Sequence, residues 1–179
     1  IPDINDVVSN NKFSSAKTSV IQNGYAWPND VRTIPENVFG DGTNSFIVPD
    51  GFLVPFHTQG GVYVLIVDPN DTSKKIGQVK ISQEKSGFFY HHGHWIDMNN
   101  DGRLDFLTAR TNAKAGEGEL LWLEHPEGGL GTTAWVEHVV DNGPDVMIEV
   151  VDVPQFKDSI IVFSAEFFSH QVAVRELSK

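Results

Sequence analysis

The chain has 179 residues, enough to bury a core, and its 24 acidic against 13 basic residues give a formal net charge of −11. That balance repels phosphate backbones and no Lys/Arg cluster offsets it, so nucleic acid is excluded and cations are the favoured partners. The lack of cysteine removes disulfides, thiolate nucleophiles and cysteine-based zinc or iron–sulfur sites.

Residues 1–24 are polar, rich in Asn and Ser, and show no apolar period, which predicts an extended lead-in. The start at Ile1-Pro2-Asp3 suggests a processed terminus. Trp27-Pro28-Asn29-Asp30 follows, where Trp27 suits either a sugar-stacking platform or a ring that closes one sheet on the next. Short β-branched and aromatic runs then recur between Gly, Pro and Asp: 45–48, 51–56 and 61–67. Asp41-Gly42-Thr43-Asn44 reads as a turn and Asp68-Pro69-Asn70-Asp71 as a chain reversal. Asn70-Asp71-Thr72 also forms an N-glycosylation triplet.

Further runs at 77–82, 93–96, 105–109, 119–125, 134–140, 146–153, 159–165 and 171–177 are all strand-sized, so the class is all-β and nothing is expected to span a membrane. Leu120-Leu121-Trp122-Leu123 and Ile160-Ile161-Val162-Phe163 are apolar throughout, as in sheets covered on both faces. Trp122 and Trp135 fall in such strands and are expected in the core. Phe167 and Phe168 suit a sheet edge, packed on a neighbour or held for an interface.

Tyr90-His91-His92-Gly93-His94-Trp95 concentrates three imidazoles. On a strand His92 and His94 share a face, which fits ligation of a borderline metal or a general base, with His91 as a third candidate. The alternative is hydrogen-bonded imidazoles packed beside Trp95, itself a candidate ligand-binding ring. His57, His170 and Glu166 lie in similar strand or turn contexts. No nucleophile elbow, phosphate-cradling glycine loop or paired-histidine helix motif is present.

Asp97-Met98-Asn99-Asn100-Asp101-Gly102-Arg103-Leu104-Asp105 alternates hard oxygen donors around a glycine, the pattern of a calcium loop. Asp97, Asn99 and Asp101 hold positions 1, 3 and 5, Arg103 would offer its carbonyl, and the closing acid is Asp105. An EF-hand would place a Glu where Thr108 stands and would have helices on both sides, whereas strands flank this loop. The competing reading is a polar hairpin that merely turns the chain. A second copy is faintly visible 55 residues on, where Val151-Asp152 matches Ile96-Asp97 and Asp158 matches Asp105, without the glycine.

The Asp-x-Asn-x-Asp-Gly-x-x-Asp loop between strands, followed by Leu-Leu-Trp-Leu-Glu-His-Pro and Trp-Val-Glu-His-Val-Val, resembles the FG-GAP/VCBS repeats of integrin-α-like propellers. The resemblance covers about residues 88–178. It implies β-propeller blades with calcium held by Asp97, Asn99, Asp101, Arg103 and Asp105, and an extracellular, secreted setting. The blades expected are a poorly assignable one at 25–85, a calcium-loop blade at 88–140 and a degenerate one at 145–179. Blades run to roughly 45 residues and a closed propeller needs at least four, so a second chain or segment is expected to complete it. Two functions follow: a calcium-stabilised component binding a glycan or protein partner, or part of a metal-assisted lyase, dehydratase or hydrolase acting on a carbohydrate or small molecule at the histidine cluster.

Overall fold

The structure, a computed structural model, describes residues 18–39, 44–51, 59–145, 147–151, 153–155 and 158–178. These residues form three antiparallel sheets, each built from consecutive strands. The first runs β1 (Arg32–Thr33), β2 (Asn44–Asp50), β3 (Gly61–Asp68) and β4 (Asp71–Lys80), with a four-residue helix α1 (Glu36–Phe39) between β1 and β2. The second runs β5 (Phe89–Ile96), β6 (Asp105–Thr111), β7 (Glu119–Glu124) and β8 (Val136–Asn142). In the third, β10 (Ser159–Glu166) lies between β9 (Met147–Val151) and β11 (Gln171–Ser178). The all-β expectation holds. No helix of the described residues is long and apolar enough to cross a membrane. The expected run at 51–56 and the turn at 41–44 fall almost wholly outside the described residues.

Strand periodicity explains why the middle sheet reads as apolar throughout. Side chains alternate between faces, and each face of this sheet has its own core. Phe106, Leu121 and Leu123 pack with Ile47, Val62, Val64 and Trp135 on the side of the first sheet. Leu107, Ala109 and Leu120 pack with Ile148, Ile160 and Val162 of the third. Every residue of β6 is buried in consequence. Each fully buried Leu, Val or Phe side chain contributes about 1.5–3 kcal/mol of transfer free energy, so these two seams dominate the packing.

β4 begins six residues before the expected run at 77, because its first half is a solvated edge with no apolar alternation to reveal it. The preceding turn is held by Asp68 Oδ1, which accepts the Asn70 amide at 2.9 Å. Tyr25 and Ile21 cover Val48, Leu65 and Val67 on the outer face of the first sheet. The outer face of the third sheet is exposed among the described residues. Ala165 of β10 sits between Met147 and Val172, and Phe163 between Glu149 and Val174. Met147, Phe163, Val172 and Val174 are all exposed.

β5 lies against β2 on one side and β9 on the other, and Gly51 forms a parallel bridge with Tyr90. β5 is therefore flanked by the other two sheets, and side chains from three distant stretches meet there.

Candidate metal centre

The histidine-rich strand is irregular where it matters. Tyr90 pairs with Arg110, but Gly93 pairs with Thr108, so β5 uses three steps where β6 uses two. This bulge re-aims the side chains of His91 and His92. It is fastened from below by Thr108 Oγ1, which donates to the His92 carbonyl at 2.6 Å. Gly93 is obligatory, since a Cβ there would meet the Phe106 ring and lie 2.6 Å from the Leu107 carbonyl oxygen.

His92 and His94 emerge on one face, with their Nε2 atoms 3.2 Å apart. Glu149 of β9 brings Oε2 to 3.7 Å from His94 Nε2. The ligating atoms of His92, His94 and Glu149 all lie within 4.8 Å of one another, the group among the described residues that could hold a metal through His or carboxylate donors. The other nitrogen of His92 is taken by Asp30, whose Oδ2 accepts from Nδ1 at 2.7 Å and from Arg32 Nε at 2.9 Å.

The partners fix the proton positions. A carboxylate only accepts, so His92 carries its proton on Nδ1 and presents a bare Nε2. His94 Nε2 lies 3.2 Å from the Ile148 carbonyl, so in the absence of an ion it is the donor, shared between that oxygen and His92. Burial pushes the pKa of His92 below the ordinary imidazole value despite the Asp30 hydrogen bond, which favours the neutral ligand form. Burial also raises Asp30, but the His92 hydrogen bond and the Arg32 charge outweigh it and hold the carboxylate low.

A cleft of about 470 Å³ opens beside this group, walled by Asn29, Asp30, Arg32, His91 and His92 and continuing over Phe163 toward the exposed face. His91 thus borders the cleft outside the convergent trio, and burial holds its pKa below the ordinary value.

The acidic loop folds on itself. Asp97 accepts the amides of Asp101 and Gly102, Asn99 and Asp101 accept those of Asp101 and Arg103, and Asn100 and Gly102 adopt positive φ. Asp105 is fully buried and accepts from Met98 N at 2.9 Å and His125 N at 2.8 Å. Burial, and then the charges of Asp101 and Asp97, push its carboxyl up. The Arg103 guanidinium pairs with Asp101 and donates through Nε to the His125 carbonyl. The side-chain oxygens of Asp97, Asn99 and Asp101 are thus engaged by the loop's own amides, and Asp101 also carries the Arg103 guanidinium.

Trp27 is exposed, at φ 150°, and its carbonyl accepts from Gly51 N and Asn29 Nδ2. Trp95 packs edge-on against Phe39 and Trp135 and tilted against Phe106. Trp135 is core, whereas Trp122 is half-buried and stacked on His138 at 4.1 Å. Glu166 is buried against Arg175 in the third sheet, and His170 sits in the turn before β11. His57 lies outside the described residues.

Sequence spacing does not point to Asp30 or Glu149 as partners of the histidines. Glu149 had a sequence signal, an acid inside the apolar stretch Met147-Ile148-Glu149-Val150-Val151. Asp30 had none beyond its place in the Trp27 tract. No protein-family profile, curated protein or solved structure matches the chain.

Proposed function

We propose that the chain is part of a metal-assisted enzyme built on β-propeller blades, with a zinc-type ion at His92, His94 and Glu149. The convergence of those three ligating groups, with Asp30 holding His92, carries the reading. Two imidazoles and a carboxylate are a borderline-metal donor set, and a carboxylate on the far nitrogen is the usual means of orienting a ligating histidine. Three protein ligands leave a position for water or a ligand oxygen, and a bound ion there supplies Lewis acidity for a lyase, dehydratase or hydrolase step on a small molecule. Atomic-emission measurement of zinc after loading and dialysis tests this. One equivalent is expected in the wild type and none in His94→Ala or Glu149→Ala. Absence of zinc uptake, or uptake indifferent to both substitutions, would sink the proposal.

The propeller reading is supported by three consecutive antiparallel meanders, with β5 flanked by β2 and β9. In that arrangement the cleft lies along the axis, and the exposed face of the third sheet receives the next blade from another chain or segment. A stable isolated monomer in gel filtration would count against such a partner.

The alternation of Asp97, Asn99, Asp101 and Asp105 around Gly102 favours a second ion, calcium, as a staple of the second sheet rather than a reactant. Such a staple suits an extracellular, secreted protein, and the FG-GAP/VCBS resemblance points the same way. A glycan or protein ligand without chemistry is the competing function, with Trp27 as the exposed ring available to it.

A further inference from the structure

The wall of the cleft nearest the histidines is polar, and its charge depends on the ion. Asp30 and Glu149 oppose Arg32, which leaves one negative charge in excess. A divalent cation between neutral imidazoles turns that into one positive charge in excess. Electrostatic complementarity then favours a monoanion and disfavours it when the metal is absent.

Arg32 is placed to receive that anion. Its side chain is 48% exposed, and its bond to Asp30 Oδ2 uses Nε. A guanidinium has five N–H donors, so the terminal nitrogens retain donor capacity for a carboxylate. The same Asp30 oxygen accepts from His92 Nδ1, so one carboxylate fixes both the guanidinium and the imidazole beside the open metal position.

We infer that the cleft takes a small carboxylate-bearing ligand, a 2-hydroxy acid or its relatives, whose carboxylate meets Arg32 while an oxygen completes the coordination of the ion. The inference rests on the zinc reading above, because the ion supplies both the charge reversal and the second anchor. Neutral sugars have no counterpart for Arg32 and are the poorer ligands.

Calorimetry on the full chain, with and without zinc, tests this using lactate and its neutral analogue lactamide. Lactate is expected to bind the zinc-loaded chain alone, with lactamide weaker by about tenfold or more. Arg32→Gln should weaken lactate by about tenfold in a chain that still takes up one equivalent of zinc, and Arg32→Lys should recover part of the loss. Zinc uptake without lactate binding, equal affinity for lactate and lactamide, or indifference to Arg32→Gln would overturn the inference and leave the metal centre standing. Failure to take up zinc would remove both.

Discussion

His92 presents Nε2 to His94 Nε2 at 3.2 Å while Asp30 holds its Nδ1 at 2.7 Å. Two nitrogens bound to one tetrahedral ion at about 2.0–2.1 Å each are separated by about 3.3 Å, so the pair already has the spacing a zinc ion needs. Loss of the Asp30 carboxylate should leave the ligands present but poorly oriented. Asp30→Asn is expected to weaken zinc binding by roughly 10–100-fold, measured by competition with a chromophoric chelator, without abolishing it. An unchanged affinity would show that Asp30 is not a positioning residue.

Gly93 separates the two histidines because Phe106 and the Leu107 carbonyl leave no room for a Cβ. Gly93→Ala should cost about 1–3 kcal/mol in denaturant unfolding and should also displace the bulge that aims His92. Zinc affinity and stability should therefore fall together. A variant of wild-type stability would mean that the strand pair opens freely at this point.

Most strands were legible because β-branched and aromatic runs alternate with turn residues, and β6 and β10 begin where Asp105 and Ser159 begin their runs. The early half of β4 was not, since an exposed edge of Lys and Ser has no core to impose a period. At the site, His92 and His94 share a face through local spacing, which a sequence displays. Glu149 and Asp30 reach them only because β9 and the segment before β1 pack beside β5, and such long-range adjacency is set by how sheets dock.

Asp97 anchors the acidic loop through the amides of Asp101 and Gly102. If calcium fills the loop, a hundredfold excess over Kd adds about 2.7 kcal/mol to stability, seen as a higher melting temperature than in EGTA. Asp97→Ala should lower the melting temperature and erase the difference between calcium and EGTA. Equal melting of the wild type in both conditions would make the loop a hydrogen-bonded turn.

Glu166 is buried in the third sheet against Arg175, which also reaches Asp141. Burial pushes its carboxyl up, but hydrogen bonds from Gln171, Ser164 and Arg175 outweigh this and hold it below the ordinary glutamate value. A depressed folded-state pKa means that the stabilisation is complete above the unfolded value and is lost as pH falls through the folded one. The stability gap between wild type and Glu166→Gln should therefore be widest above about pH 5 and narrow on acidification below about pH 4. A gap independent of pH would show that Glu166 acts through packing alone.

The proposed metal ligands come from the second and third sheets, and Asp30 comes from the segment before β1. During synthesis from the N-terminus, Asp30 and both histidines emerge well before Glu149, so the nascent chain has two imidazoles but an incomplete pocket. If the trio binds zinc as proposed, high-affinity capture waits until β9 has docked. The ion would then be a reporter of chain maturation, and a cobalt substitute, visible by its absorption, would time the arrival of the third sheet.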